Sequence, residues 1–183
     1  MDHIDHVDSF TTGAVGKPGR REFFLQVRSG PERVNVKCEK QQAAALAQYL
    51  RRLLNDLPPP ADRPVNGAMQ MMPPESVAFV LGPIGLAYER DRDRFLIQLE
   101  ELVVDGNVAD DDDEIEDDDS ADDDADDEGT SDPDRARVRL FLSRGQAWAF
   151  VEHTEEVVAA GRPTCMWCSG PIDPDGHPCP RMN

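Results

Sequence analysis

The sequence predicts an α+β fold: an antiparallel sheet built of two β-β-β-α halves with two helices, plus a C-terminal zinc-binding tail. Three observations predict it. Apolar residues alternate with polar ones in several short runs, and two longer runs carry apolar residues at helical spacing. Three of the four cysteines also fall within the last twenty residues. We assign residues 1–160 to the α+β domain and residues 161–183 to a zinc-knuckle-like tail.

The strands of the first half are predicted from alternation around turn residues. A strand at Ser9–Val15 leads through a Gly/Pro-containing connection into a hairpin. The hairpin has strands at Arg20–Arg28 and Arg33–Cys38, separated by a Ser-Gly-Pro-Glu turn. These runs predict three antiparallel strands.

The first helix is predicted where the apolar period changes after Glu39. One face then carries apolar residues at helical spacing: Ala43, Leu46, Ala47, Leu50, Leu53 and Leu54. Three consecutive prolines, beginning at Pro58, end the helix. We expect the Pro/Met-rich stretch that follows, up to Pro74, to be mobile.

The second half repeats this order of elements. Strands are predicted at Ser76–Tyr88, Arg92–Val104 and Arg137–Leu142, and a helix should run from the N-cap Ser143 to about Ala160. The glycines and proline in Gly82–Gly85 predict a bulge or a sheet edge within the first of these strands.

The two strand-to-helix junctions resemble one another. Aligning residues 34–46 with residues 138–150 matches Val34 with Val138, and the identical pairs include Gln42 with Gln146. This favours an internal duplication, although any strand followed by a helix produces some match of this kind. Under either interpretation Cys38 lies at a buried strand end and is a core residue.

The formal charge of −18 is concentrated in one tract. Residues 105–134 contain eighteen acidic residues and no Lys or Arg, so the rest of the chain is neutral. A segment of this composition has too little apolar surface to fold, which predicts a disordered acidic insertion between two strands. A specific interaction tract is the alternative. A neutral body beside a polyanionic loop argues against nucleic-acid binding.

The sequence predicts neither a membrane span nor a signal peptide. No run of eighteen apolar residues occurs, and the first six residues lack a basic region followed by an apolar one. We expect a cytoplasmic protein with a frayed N-terminus.

The strongest chemical signal is the cluster Cys165-Met-Trp-Cys168 followed by His177-Pro-Cys179. Three thiolates and one imidazole make a Cys₃His set, which structural zinc binds tetrahedrally with no open position. Two alternatives remain: a redox pair formed by the Cys-x-x-Cys, and unliganded thiols. The odd number of cysteines fits a disulfide framework poorly.

A second candidate site is the glycine-rich loop between residues 13 and 21. Lys17, Arg20 and Arg21 lie beside backbone amides that could cradle an anion. The loop lacks the Gly-Lys-Ser/Thr of a phosphate-binding P-loop, and a hairpin connection explains its glycines equally. The sequence contains no G-x-S-x-G nucleophile elbow and no other catalytic constellation, so we assign no catalytic residue.

Several motifs together resemble the actinobacterial DUF3090 family, whose members are uncharacterised. Those in the body are Gly13-x-x-Gly-x-Pro-Gly19-x-Arg, Lys40-Gln-Gln-Ala43, Gly82-x-Ile-Gly-Leu-Ala-Tyr88 and Ser143-Arg-x-Gln-Ala147. The closing Cys-x-x-Cys-x-Gly-Pro-Ile-Asp-Pro-x-Gly-His-x-Cys segment is the most specific, although Ser169 stands where a zinc-knuckle glycine is common. The resemblance implies an association with a histidine-phosphatase-like and a kinase-like protein.

These observations lead us to expect a zinc-binding accessory or adaptor protein without evident catalysis. Its partners would be proteins, and neither nucleic acid nor a membrane is expected. The alternative is an enzyme or binding protein for a phosphorylated metabolite that uses the basic loop. The two differ in one respect: an enzyme needs a concave pocket where basic groups converge, whereas an adaptor needs an exposed apolar patch or strand edge.

Overall fold

The fold is described from a computed structural model. It describes residues 2–4, 6–60, 64, 69–103, 135–161, 165–170, 172 and 176–182. The predicted acidic insertion at 105–134 lies outside these residues.

The described elements confirm the α+β class with two β-β-β-α halves. They are, in chain order, β1 (Asp2–Ile4), β2 (Ser9–Val15), β3 (Glu22–Ser29), β4 (Glu32–Cys38), α1 (Lys40–Asn55), β5 (Phe79–Glu89), β6 (Arg94–Glu101), β7 (Arg137–Ser143) and α2 (Arg144–Ala159). Both helices begin with a capping box, formed by Glu39 with Gln42 and by Ser143 with Gln146.

The strands form one mostly antiparallel sheet in the order β1-β7-β6-β5-β4-β3-β2. The two parallel pairs, β4 with β5 and β1 with β7, join one half to the other. A flat sheet of this size would place its edge strands about 29 Å apart, at about 4.8 Å per strand. The chain between Ile4 and Ser9 reaches at most about 18 Å. The sheet therefore curls until its two edges, β1 and β2, lie close together.

The N-terminus corrects the expectation of a frayed end. Residues Asp2–Ile4 pair in parallel with Val138–Leu140. A strand of three residues has too short a pattern to be recognised, and its partner lies more than 130 residues along the chain.

The hydrophobic core lies between the inner face of the sheet and the two helices, which pack on each other. Phe10 of β2 stacks on Phe150 of α2 with ring centroids 4.5 Å apart. The predicted bulge in β5 is confirmed, because its pairing with β6 shifts register between Leu81 and Ile84. A side chain at Gly82 would meet the backbone of Glu101 at 2.9 Å, so the close approach of β5 to the end of β6 requires glycine here.

Residues 69–78, which we call the strap, correct the last part of the predicted mobile stretch up to Pro74. Residues 61–63 and 65–68 of that stretch lie outside the described residues. The strap lies over the outer face of β2, β3 and β4, where three buried polar residues hydrogen-bond to its backbone. Thr11 donates to the carbonyl of Met69, and Asn35 donates to that of Ser76 over 2.9 Å. Gln26 binds both backbone groups of Met72. The strap is thus part of the folded body.

Among the described residues, no helix has the length and apolar character needed to cross a lipid bilayer.

Candidate metal centre

The C-terminal tail folds back on itself through two short backbone hydrogen bonds. The amide of Cys165 donates to the carbonyl of Gly170 over 2.7 Å, and the amide of Ser169 donates to the carbonyl of Cys165 over 2.9 Å. This reversal requires a left-handed backbone at Ser169, whose φ is 59°. Glycine, which is common at this position of a zinc knuckle, adopts that conformation without steric cost, whereas the serine of this chain does not.

The reversal brings together the four residues predicted as metal ligands. The thiols of Cys165, Cys168 and Cys179 and a ring nitrogen of His177 all lie within 4.8 Å of one another. The Sγ atoms of Cys165 and Cys179 are 3.9 Å apart, and Cys168 Sγ lies 3.1 Å from His177 Nε2.

These distances fit one tetrahedral ion. Zinc–sulfur and zinc–nitrogen bonds of ordinary length place two sulfurs about 3.8 Å apart and a sulfur and a nitrogen about 3.5 Å apart. Cys165 and Cys179 are buried, whereas Cys168 and His177 are half-buried. The donor set is that of a closed structural site, in which the bound ion would hold the tail together and leave no position for a substrate.

The pKa values of two of these thiols, those of Cys165 and Cys168, are shifted in opposite directions. Hydrogen bonds from the backbone amides of Cys168 and Trp167 lower the pKa of the Cys165 thiol to about 6. The Gly170 amide lowers the pKa of Cys168, but desolvation and the neighbouring thiols outweigh it, so that this pKa is raised. A cation in the centre would remove the repulsion among thiolates that keeps the second cysteine protonated.

The geometry of the cluster argues against a disulfide bond and against a redox pair. All four cysteines are free, and 3.9 Å is far beyond the length of a disulfide bond. Residues 166–168 form a turn that ends at the left-handed Ser169, so this Cys-x-x-Cys does not begin a helix as redox pairs do. Cys38 lies in the hydrophobic core, where burial raises its pKa to about 12, and it belongs to no ligand group.

The outside of the tail carries apolar side chains that the sequence did not predict to be exposed. Trp167 is 55% exposed, and Met166 is 86% exposed. Met182, one turn beyond the last cysteine, is 70% exposed. The only sequence signal for this surface is that two large apolar residues lie between two ligands in Cys165–Cys168.

The glycine-rich loop is a tight connection between β2 and β3. Gly16 and Gly19 have positive φ, and a side chain at Gly16 would meet the carbonyl oxygen of Arg20 at 2.6 Å. Lys17 and Arg20 are exposed, whereas Arg21 donates to the carbonyl of Ala160 over 2.6 Å at the end of α2.

Of these three basic residues, Arg21 lines a cavity of about 470 Å³ and the other two do not. Lys37 and Lys40 line it as well, but so do Glu22 and Glu39, and Lys37 is paired with Glu22 over 2.6 Å. No sequence pattern pointed to these lysines, because the cavity forms where β4 meets α1 against the β2–β3 loop. Anion binding here stays a prediction.

Comparison with known proteins gives a match to a family model. Neither the curated proteins nor the solved structures contain a match to this chain. The model of the DUF3090 family, described as a protein of unknown function, matches residues 3–179 of the 183. The match runs from β1 to the last cysteine of the tail, and the chain belongs to the DUF3090 family.

Proposed function

We propose that this chain is a non-catalytic accessory protein whose C-terminal tail, held by a structural zinc ion, presents a binding surface to a partner protein. The observation that carries the proposal is the position of Trp167. It lies between two cysteines of a four-donor cluster, and most of its ring is exposed. A metal-ligand loop that exposes a large aromatic side chain to solvent is typical of a contact surface.

The division between tail and body supports an interaction role. None of the described tail residues belongs to the hydrophobic core cluster of the body. Zinc would therefore stabilise a small module that has little apolar interior of its own. We place this chemistry in the cytoplasm, because a cluster of free thiolates requires a reducing compartment. The resemblance noted above suggests a histidine-phosphatase-like or a kinase-like protein as the partner.

Site-specific crosslinking tests the proposal. A photoreactive phenylalanine analogue at position 167 should capture one stoichiometric protein partner, and the same analogue at the exposed Tyr49 of α1 should not. Adding Cys168→Ala should abolish capture, because the loop loses its metal. Equal capture at both positions, or capture that survives Cys168→Ala, would contradict a metal-organised surface.

The cavity beside Arg21 favours a second candidate, binding of a phosphorylated metabolite. Three basic side chains line it, and it lies at the N-terminus of α1, where helix amides attract anions. Two carboxylates in the same lining oppose this reading. Pyrophosphate should raise the melting temperature in a manner that Arg21→Ala and Lys40→Ala abolish. No shift at millimolar pyrophosphate would exclude the candidate.

A further inference from the structure

The two halves of the sheet have the same pairing register on their outer faces. Thr11, Gln26 and Asn35 lie opposite one another across β2, β3 and β4. In the second half, the corresponding row across β5, β6 and β7 is Gly85, Gln98 and Arg139. A glutamine thus occupies the centre of each row.

In the first half the central glutamine binds an extended segment through its backbone. Gln26 donates from Nε2 to the carbonyl of Met72 over 2.9 Å, and the amide of Met72 donates to Gln26 Oε1 over 3.0 Å. The same Nε2 also donates to Asn35 Oδ1 over 2.7 Å. These contacts, with the rest of the strap, leave Gln26 only 1% exposed.

Among the described residues, no segment covers the equivalent surface of the second half in this way. Gly85 and Ala87 of β5 are exposed, and Gln98 and Arg139 are half-buried. The side chain of Gln98 donates a hydrogen bond to Glu100 on its own strand. Within the described part of the chain, no backbone segment hydrogen-bonds to Gln98 as the strap does to Gln26.

This outer face carries three partly buried arginines. Arg135, Arg137 and Arg139 project from one side of the chain entering and forming β7. Glu100 lies 3.6 Å from Arg135 and 3.6 Å from Arg137, and no described carboxylate pairs with Arg139. The Nε atoms of all three arginines are buried without a hydrogen-bond partner. Among the described residues, one carboxylate lies against three guanidinium groups, which leaves positive charge that a further anion could balance.

The spacing of this charge selects an extended partner. Alternate residues of a strand are about 6.7 Å apart, so the arginines form a linear array with that repeat. Alternate side chains of an extended peptide have the same repeat. A segment with acidic residues at every second position would match the arginines, while its backbone reached the carboxamide of Gln98.

We propose that the outer face of β5, β6 and β7, centred on Gln98 and Arg139, binds an extended acidic segment of a partner protein that lies along β7. This surface lies on the sheet and needs no metal, so it extends the proposed function without depending on it.

Fluorescence anisotropy on the full chain tests the proposal with a labelled Glu-Val-Glu-Val-Glu-Val-Glu peptide. Arg139→Ala and Gln98→Leu should each weaken binding about tenfold, since each removes a hydrogen bond to a charged group or to the peptide backbone. The control Arg52→Ala removes an equal charge from the exposed side of α1 and should change affinity less than twofold. Ala87→Glu, at an exposed position, should weaken binding by repulsion, whereas Ala87→Lys should strengthen it.

Three results would overturn the proposal. In the first, Arg52→Ala weakens binding as much as Arg139→Ala. In the second, a peptide of the same composition with its glutamates in one block, or a thymidine oligomer of equal charge, binds as tightly as the alternating peptide. In the third, the peptide binds only after residues 110–128 are deleted, which would make the chain's own acidic tract the occupant.

Discussion

Gln26 and Gln98 occupy the same position in the two halves of the sheet but have opposite surroundings. Gln26 is almost completely buried, and its carboxamide satisfies both backbone groups of Met72. Gln98 is half-buried and hydrogen-bonds to Glu100. This difference indicates that Gln26 contributes to the stability of the fold, whereas Gln98 lies on a partly exposed surface.

Replacing Gln26 by leucine should therefore destabilise the protein far more than the same change at Gln98. Gln26→Leu leaves the amide and carbonyl of Met72 and the Oδ1 atom of Asn35 without the partner that Gln26 provides, at a cost of about 2–4 kcal/mol in the free energy of unfolding. Gln98→Leu should cost less than about 1 kcal/mol. Urea unfolding of both variants measures the difference, and equal losses would show that the strap contributes nothing to stability.

The hydroxyls of Thr12 and Thr154 form a second pair suited to direct measurement. Both residues have 0% exposure, and their Oγ1 atoms are 2.8 Å apart between β2 and α2. Thr12→Val or Thr154→Val alone buries an unsatisfied hydroxyl and should cost about 1–3 kcal/mol. The double variant should recover part of that loss in a double-mutant cycle. Additive losses would mean that the two hydroxyls are not coupled.

The turn before β6 gives the stability a dependence on pH. A hydrogen bond from Tyr88 and another from Arg144 lower the pKa of Asp93, and a hydrogen bond from Arg94 lowers that of Glu89. Because folding lowers these pKa values, their stabilisation is complete above the ordinary carboxyl pKa, near 4, and is lost as the pH falls through the folded values.

Asp93→Asn tests this dependence and keeps a residue that tolerates the left-handed φ of 50° at this position. The melting temperature of the natural protein should exceed that of the variant at pH 6, and the two should converge near pH 3. A difference that stays constant across this range would show that the carboxylate is not responsible.

Removing the metal should affect the tail and spare the body. No described residue of the tail belongs to the core cluster, so a strong chelator should shift the main melting transition by less than about 4 °C, equivalent to about 1 kcal/mol for a chain of this size. Amide exchange should accelerate for Cys165 and Ser169, whose amides hydrogen-bond within the tail. Loss of protection throughout α1 and α2 would refute an independent tail and the division of the chain near residue 160.

The sequence was most informative where structure depends on neighbouring residues. The helix stripe from Ala43 to Leu54 and the alternation in β3 and β7 predicted those elements, because their periods are local. The four tail residues were predicted together for the same reason: their spacing within fifteen positions carries the chemistry.

Features that join distant residues were missed. The pairing of β1 with β7 and the strap over Gln26 each depend on contacts between segments far apart in the chain. The signal for the strap was present in the polar residues Thr11, Gln26 and Asn35 within otherwise apolar strands. The hydrogen-bond partners of these residues could not be predicted without the fold, since a buried polar group does not specify its partner.

The metal content of the full-length protein, purified without a histidine tag, tests the central claim most directly. Mass spectrometry should find one zinc ion per chain in the natural protein and none in Cys168→Ala. The core variant Cys38→Ala, which removes a thiol outside the cluster, should keep its zinc. A natural protein without metal, or a Cys168→Ala variant that retains it, would contradict the assignment of Cys165, Cys168, His177 and Cys179 as a structural zinc site.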